Sequence, residues 1–233
     1  MSFRSRQERG DFASVPELYG RSVLGAPLEV WLPESGEAST LLVAGQHGEE
    51  AESTFVLSRA LRCLRGAPLA AGVVLAANPD GMARGTRGNA NGVDLNRNFP
   101  TGDWMGQGTT YCWQVGGESE VGLSTGNGAG SEPETQAFMD LVERLDPQRV
   151  IALHAPLACI DDPQLSDLGK ELSAASGLPL VESVGYATPG SFGTWAGERG
   201  LHVITYEFPR ASLEELAEIH VPIFYGLMVG ERA

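Results

Sequence analysis

Three side chains that could bind a metal ion stand out in the sequence: His47, Glu50 and His154. His47 and Glu50 belong to one His-Gly-Glu-Glu segment, and a spacing of three residues places two side chains on the same side at the start of a helix. Imidazole nitrogens and carboxylate oxygens suit zinc, and two histidines with one glutamate leave a fourth position open for water or substrate. The residue types therefore predict a catalytic centre with one zinc ion per chain.

A short HxxE segment is common by chance, but its position along the chain strengthens the prediction. Three apolar segments typical of buried strands precede candidate catalytic side chains: 39–44, 149–153 and 201–206. The first is followed by His47, the second by His154 and the third by Glu207. Ligands bind beyond the carboxyl ends of the strands in α/β sheets, so the three side chains can converge on one crevice. Glu207 is then a candidate general base, with an exposed acid at a strand end as the alternative.

Arginine is concentrated between residues 84 and 97 of an otherwise acidic chain. Guanidinium groups bind carboxylates through paired hydrogen bonds and do not titrate near neutrality. We expect Asn96 and Arg97 to hold a substrate carboxylate, while Arg87 polarises the scissile carbonyl and stabilises its oxyanion. Arg84 is the second arginine available for contact with the substrate.

Asp94 and Tyr186 are candidates for supporting roles. A metal-bound histidine usually donates its other ring N–H to a carboxylate or a carbonyl, and Asp94 could orient His47 in this way. The alternative is that Asp94 only forms a turn. Tyr186 lies in a loop that contains Gly and Pro, and it could fold over a substrate and donate a hydrogen bond. Structural packing is the alternative for this residue.

The length of 233 residues suits a single domain over residues 1–233. Strand and helix patterns alternate along it, which predicts an α/β fold with a mainly parallel or mixed sheet and helices on both faces. Ser131 and Glu134 form a predicted capping box, and Pro222 is expected to kink or break the last helix. The Gly-rich segment 101–130 is expected to be a long excursion near a site. Helices are predicted at 50–64, 131–145, 163–176 and 212–229.

Composition excludes several classes of function. Sixteen basic and 30 acidic residues give a net charge of −14, which argues against a nucleic acid as the main partner. No run of 18 apolar residues predicts a membrane span, and the polar segment 1–12 lacks the apolar core of a secretory signal, so a cytoplasmic location is expected. Three scattered cysteines predict neither a disulfide framework nor a thiolate zinc site. A homodimer is a reasonable expectation, because twofold dimers are common.

Five motifs occur in a characteristic order between residues 41 and 209: HGEE, NPDG, GVDLNRNF, LHAP and TYEFP. This combination resembles the zinc carboxypeptidase family, also called the M14 metallopeptidases. The resemblance implies a three-layer α/β/α sandwich around a mixed, mainly parallel sheet. It also implies roles for specific residues: zinc ligands His47, Glu50 and His154, catalytic Glu207, carboxylate-binding Asn96 and Arg97, and Asp94 as partner of the first histidine. The oxyanion arginine of the family matches Arg87 better than Arg84, and its mobile tyrosine matches Tyr186 loosely.

Longer stretches resemble bacterial cytoplasmic members of this family that act on recycled cell-wall peptides. They are RGNANGVDLNRNFP, GSEPETQAF, HAPLACIDDP and SVGYATPGSFGTW. This resemblance implies hydrolysis of the amide bond between γ-D-glutamate and meso-diaminopimelate in small murein peptides such as L-Ala-γ-D-Glu-meso-diaminopimelate. Asp161 and Asp162, which follow His154, are then candidates for binding the ammonium group at the distal end of diaminopimelate.

Two alternatives stay open at this point. Aspartoacylase-like enzymes, which deacylate N-acyl amino acids, share the HxxE…H pattern and a similar DLNR segment. A noncatalytic module could use the same pocket, without zinc, to bind peptides. Turnover of acyl-amino acids against cell-wall tripeptide, together with the metal content, separates these interpretations.

Overall fold

Strands and helices alternate along the chain, and the computed structural model describes residue 12 and residues 14–113 and 119–231. The elements, in chain order, are β1 Glu17–Arg21, β2 Pro27–Val30, β3 Thr40–Val43, α1 Ala51–Cys63, β4 Gly72–Val74, α2 Pro79–Arg84, a 3-10 helix Leu95–Arg97, β5 Thr109–Trp113, β6 Ser119–Leu123, α3 Pro133–Leu145, β7 Arg149–His154, β8 Cys159–Asp161, α4 Asp167–Ser176, β9 Leu180–Val181, α5 Phe192–Gly197, β10 His202–Glu207 and α6 Leu213–Val229.

The central sheet has six strands in the order β4-β3-β7-β10-β8-β9. The first four are mutually parallel, whereas β8 runs antiparallel to β10 and parallel to β9. The sheet is therefore mixed and mainly parallel, as predicted. Because β3, β7 and β10 are parallel neighbours, their carboxyl ends lie at one edge, where the candidate catalytic side chains follow them.

Helices cover both faces of this sheet, and each face has its own apolar core. On one face pack Leu57 of α1, Leu172 of α4 and Phe224 of α6. On the other face pack Phe138 of α3 and Trp195 of α5. All five side chains are buried, so the structure has the three-layer α/β/α arrangement that the sequence predicts.

The alternation of side chains along β7 explains how the strand serves both cores. Ile151 and Leu153 pack in the core with α1, while Val150 and Ala152 pack in the core with α3. Successive side chains of a strand point to opposite faces, so a strand buried on both sides must be apolar throughout. His154 interrupts this apolar pattern at the end of the strand.

The beginning of α3 differs from the prediction. Glu132, not Ser131, is the N-cap residue, and its side chain makes no capping hydrogen bond. Glu134 is buried and accepts hydrogen bonds from the backbone N–H of Val23 and the side chain of Asn89. The predicted capping box is therefore wrong, because tertiary partners hold the carboxylate that the local pattern assigned to the helix end.

Two other helix predictions differ from the structure, one in the start of a helix and one in its continuity. Helix α4 begins at Asp167 rather than at residue 163, since Ser166 caps it by accepting a hydrogen bond from the N–H of Gly169. Helix α6 continues through Pro222 without a break. None of the helices in the described ranges is long and apolar enough to span a bilayer.

Two antiparallel hairpins lie outside the central sheet. The pair β1–β2 packs against α3, where Gly20 approaches Ala137 closely. The pair β5–β6 lies within the segment that the sequence assigned to a long excursion. Strand β1 is largely exposed and β2 is only half buried, so neither has the continuous apolar run that indicated β3 in the sequence.

Candidate active site

The predicted metal ligands converge at the carboxyl ends of the parallel strands. The ligand atoms of His47, Glu50 and His154 all lie within 4.8 Å of one another, and the three residues are buried. Nδ1 of His47 is 2.7 Å from one carboxylate oxygen of Glu50, and Nδ1 of His154 is 2.9 Å from the other. The two imidazole Nδ1 atoms are 3.1 Å apart. This is a compact set of two nitrogens and one carboxylate around a common point.

The chemistry of this donor set fits a bound cation. Nε2 of His47 faces Asp94, so in a neutral ring Nε2 carries the proton and Nδ1 carries the lone pair. This Nδ1 faces Nδ1 of His154. Burial and Arg87 oppose a charge on the ring, yet the carboxylates of Glu50 and Asp94 raise the pKa of His47 to about 9. A metal ion would take the place of that proton, and two imidazoles with a carboxylate are a donor set that zinc accepts.

Asp94 links the first histidine to Arg87. One carboxylate oxygen, Oδ1, is 3.2 Å from Nε2 of His47 and accepts a hydrogen bond from the N–H of Asn96 at 2.9 Å. The other, Oδ2, accepts a hydrogen bond from Nε of Arg87 at 2.9 Å. Burial opposes ionisation, but His47 and Arg87 hold the pKa of Asp94 well below its usual range. The position matches the predicted orienting role.

Arg87 lies beside the metal ligands, not against a surface acid. Its Nη1 is 3.2 Å from Oε1 of Glu50 and 3.4 Å from Oε1 of Glu49. The guanidinium carbon lies 4.9 Å from the ring centroid of Tyr111 on β5. Although burial opposes its charge, the carboxylates of Asp94, Glu50 and Glu49 raise the pKa of Arg87. A permanent positive charge therefore adjoins the metal cluster.

Close backbone packing fixes the loop that carries the first two ligands. A Cβ atom on Gly48 would lie 2.1 Å from the carbonyl carbon of Gly81, so only glycine fits between His47 and Glu49. Asn78 stabilises this packing, because its side-chain amide donates hydrogen bonds to the carbonyls of Gln46 and Arg87, each at 3.3 Å. The HGEE and NPDG motifs are thus two halves of one packed unit.

Buried acids at the start of α3 support the loop between Arg87 and Asp94. The side-chain amide of Asn89 donates to Glu132 at 2.8 Å and to Glu134 at 3.0 Å. Asn91 also donates to Glu132 at 2.8 Å. This support was not predicted from the sequence. The signal for it was that the asparagines of RGNANG could form hydrogen bonds with the glutamates of SEPE.

Glu207 is the last residue of β10, which pairs with β7, the strand that ends at His154. The two residues are partners in the parallel register of β10 and β7, so both reach the same edge. Glu207 is 7% exposed, and its Oε2 accepts a hydrogen bond from the N–H of Leu157 at 3.2 Å. Burial is the largest cause that raises its pKa. This is the environment that tunes a carboxylate for proton transfer.

Asn96 and Arg97 lie on the 3-10 helix and line the same cavity. Oδ1 of Asn96 accepts a hydrogen bond from the N–H of Phe192, which leaves its NH2 group as the end that can donate to a ligand. Arg97 is held by a 2.6 Å hydrogen bond from Nη1 to the carbonyl of Asn96. Gly190 packs against the carbonyl of Arg97, where a Cβ atom would lie 2.5 Å from the oxygen.

One cavity of about 620 Å³ joins these groups. Its lining includes the metal cluster, Arg87, Arg97, Glu207 and, from the hairpin segment, Tyr111. The predicted position of segment 101–130 near a site is therefore confirmed for β5. Tyr186 also lines the cavity and is 56% exposed at its mouth.

Two predicted substrate contacts lie outside this cavity lining. Arg84 is exposed, donates a hydrogen bond to the carbonyl of Asp80 and does not line the cavity. Asp162 is fully buried, and its carboxylate accepts hydrogen bonds from Gln164, Ser166 and His202. The cavity lining therefore supports neither of these two predicted contacts. Asp161, the neighbour of Asp162, does line the cavity.

Comparisons with known proteins agree with this geometry. The profile of the Peptidase_M14 family, described as zinc carboxypeptidase, matches residues 71–158. Murein peptide amidase A of Escherichia coli strain K12 is 51% identical over 218 residues, which cover 92% of this chain and 90% of that protein. The protein of the same name from Vibrio campbellii is 45% identical over 231 residues, which cover 98% of this chain and 93% of that protein.

Solved structures show the same relationship. The crystal structure of a murein-tripeptide amidase from Escherichia coli O157 is 48% identical and superposes with a TM-score of 0.89, covering 97% of this chain and 96% of that chain. Bovine thrombin-activatable fibrinolysis inhibitor, at 19% identity and a TM-score of 0.71, shares the fold; the match covers 92% of this chain and 88% of that chain. High identity over nearly the whole length, together with the shared fold, shows that the chain belongs to the zinc carboxypeptidase family of hydrolases.

Proposed function

We propose that this chain is a zinc-dependent amidase that hydrolyses the bond between γ-D-glutamate and meso-diaminopimelate in murein peptides. The observation that carries the proposal is the convergence of a metal-binding cluster, a buried glutamate and a carboxylate-binding pair in one cavity. The names of its relatives, murein peptide amidase A and murein-tripeptide amidase, indicate the substrate class.

Zinc would be held by His47, Glu50 and His154, the three residues whose donor atoms already converge. When bound, the ion supplies Lewis acidity that activates water and polarises the scissile carbonyl. Asp94 keeps the ring of His47 oriented by accepting its Nε2–H, so that Nδ1 is the nitrogen available to the metal.

Glu207 is the proton carrier in this proposal. Its carboxylate removes a proton from the attacking water and delivers that proton to the nitrogen of the departing amine. Burial raises its pKa, which makes Glu207 a stronger base toward the attacking water than a solvated carboxylate would be. Its register position beside His154, one of the proposed metal ligands, supports this role.

The arginines supply the local positive charge that an anionic substrate requires in a protein of net charge −14. Asn96 and Arg97 bind the free α-carboxylate next to the scissile amide and so fix the orientation of attack. Arg87 stabilises the negative charge that develops on the carbonyl oxygen. A γ-glutamyl amide followed by a free carboxylate presents these groups with the features of an ordinary peptide C-terminus.

The test is release of free diaminopimelate from L-Ala-γ-D-Glu-meso-diaminopimelate by the purified, zinc-loaded protein. We expect release to stop when the metal is chelated and to return when zinc is added back. Glu207→Gln should keep its zinc and its fold while losing roughly 10²- to 10⁴-fold in kcat.

Three results would count against the proposal. Full activity of Glu207→Gln would remove the assigned role of that residue. No release from a folded, zinc-loaded sample would remove the murein substrate. Faster turnover of N-acyl amino acids than of the tripeptide would favour the deacylase alternative, and peptide binding without turnover would favour the noncatalytic module. The cytoplasmic location and the homodimer stay predictions.

A further inference from the structure

Asp161 is placed by strand register on the catalytic face of the sheet. Strand β8 pairs antiparallel with β10, so that Cys159 lies opposite Glu207 and Asp161 lies opposite Thr205. Directly paired residues point to the same face of a sheet. The intervening pair, Ile160 and Tyr206, points to the opposite face and packs in the apolar core. Asp161 therefore shares the cavity face with Glu207.

One carboxylate oxygen of Asp161 lacks a hydrogen-bond partner in the part of the chain that the structure describes. Its Oδ1 is buried and has no hydrogen-bond partner among the described residues, although Asp161 lines the cavity. Burial and the neighbouring charge of Asp162 raise the pKa of Asp161, as expected for a carboxylate with no cation beside it. A buried carboxylate oxygen without a hydrogen bond costs stability, so a ligand that supplies a positive group there would offset this cost.

The depth of Asp161 in the cavity matches the length of one particular side chain. Its partner Thr205 is two residues before Glu207 on β10, a distance of about 7 Å along the strand. The cavity continues past Thr205 to Val203 and His202. If the scissile amide lies at Glu207, this depth can accommodate the side chain of the departing amino acid. In diaminopimelate, three methylenes separate the α-carbon near the amide from the carbon that bears the second ammonium group.

We propose that Asp161 determines specificity for the leaving amino acid by binding the distal ammonium group of diaminopimelate. This inference rests on the proposed function and deepens it. The adjacent acid, Asp162, has a structural role, because it orders the turn before α4 through Ser166 and holds the ring of His202 at 2.9 Å. Of the two acids that the sequence offered, the structure leaves only Asp161 able to reach a substrate.

A pair of matched substrates isolates this contact. One is L-Ala-γ-D-Glu-meso-diaminopimelate, and the other carries L-2-aminopimelate, which keeps the distal carboxylate and lacks only the distal ammonium group. We expect the unmodified protein to prefer the diaminopimelate peptide. For Asp161→Asn, kcat/KM on this peptide should fall roughly 10- to 100-fold, mainly through KM, because a charged hydrogen bond is lost. On the aminopimelate peptide the same variant should change less than about threefold.

Asp140→Asn is the control, because it removes one negative charge from an exposed position on α3. It should leave both substrates unaffected. Zinc content and melting temperature establish that Asp161→Asn is folded. An equal loss on both substrates would overturn the inference, since it would show a general structural role. No loss on either substrate would also overturn it.

A binding measurement separates this inference from the proposed reaction. Calorimetric titration of the zinc-loaded protein with free meso-diaminopimelate and with free 2-aminopimelate requires no turnover. If no peptide is cleaved but diaminopimelate binds more tightly than 2-aminopimelate, and Asp161→Asn abolishes that difference, the inference holds and the proposed reaction fails. If the two amino acids bind equally, or neither binds, the inference is wrong.

Discussion

Replacing Asp94 by asparagine tests whether this carboxylate holds the metal site together. Asp94 is 2% exposed and accepts hydrogen bonds from three donors: Nε2 of His47, the N–H of Asn96 and Nε of Arg87. The two carboxylate oxygens are divided between them, so an asparagine must turn its NH2 group toward at least one N–H donor. Removing such partners of metal-bound histidines typically costs 10- to 100-fold in metal affinity. We therefore expect Asp94→Asn to weaken zinc binding by about 1.4–2.7 kcal/mol.

The same substitution should destabilise the metal-free protein. Hydrogen bonds to charged groups contribute about 1.5–3 kcal/mol each, and the neutral amide cannot replace the ionic contact with Arg87. Since the guanidinium group is largely buried, water compensates for only part of the loss. The free energy of unfolding in urea, measured with excess chelator, gives this contribution separately from the zinc effect.

Competition with a chromophoric chelator measures the zinc affinity directly. Asp140→Asn, which makes the same chemical change at an exposed position, should match the unmodified protein in both measurements. If Asp94→Asn bound zinc as tightly as the control, the orienting role would be refuted, because His47 would then keep its position without the carboxylate. A loss of stability with unchanged zinc affinity would assign Asp94 to the fold alone.

Three further predictions follow from single contacts. Gly48→Ala should cost about 1–3 kcal/mol in unfolding free energy and lower zinc affinity, because the new Cβ atom would overlap Gly81. Gly128→Ala is the control, because its new Cβ atom meets open space. If the two variants gave the same result in urea titration and in zinc competition, this reasoning would be contradicted. Burial lowers the pKa of His220 to about 4, so the unfolded state binds the proton more readily, and stability is fully present above pH 6.5 and lost as the pH falls toward 4. In chelator, the unmodified protein should therefore lose about 2 kcal/mol more than His220→Gln between pH 7.5 and 5, and parallel curves would refute this cause. Tyr186→Phe, at an exposed position on the cavity rim, should raise KM by roughly 2- to 10-fold without changing the melting temperature, and an unchanged KM would mean that the hydroxyl does not reach the substrate.

The catalytic strands could be predicted because their patterns are long and unambiguous. The strands that end at His154 and Glu207 are buried over most of their length. Residues 150–153 are all apolar, residues 203–206 are apolar apart from Thr205, and each strand then ends in an ionisable side chain. That change at a strand end is visible in one sequence. The order of the strands is not, since it depends on contacts between segments far apart in the chain.

The distinction between Asp161 and Asp162 shows what the sequence could not provide. Strand β8 has three residues and β9 has two, too few for an alternating pattern to identify their faces. A shift of one residue in register exchanges the face of every side chain, so the two neighbouring acids could not be assigned before the pairing with β10 was known. Glu134 illustrates the same limit, because distant partners overrode its local helix-capping pattern.

The positions of the charged side chains in the cavity bear on the proposed preference for diaminopimelate over apolar leaving residues. Arg97 lies on the 3-10 helix, Glu207 ends β10 beside His154, and Asp161 on β8 lies opposite Thr205. The lining of the cavity therefore offers a cation, the proposed base and an anion. In the proposed binding mode, a peptide that ends in an apolar residue contacts the first two groups and gives Oδ1 of Asp161 no partner. Such a peptide lacks the favourable contact with Asp161 and also leaves a buried oxygen unpaired. The expected difference between substrates is therefore larger than apolar fit alone would give. If Asp161 has the proposed role, its unpartnered oxygen would disfavour ordinary peptide C-termini that Asn96 and Arg97 alone would accept.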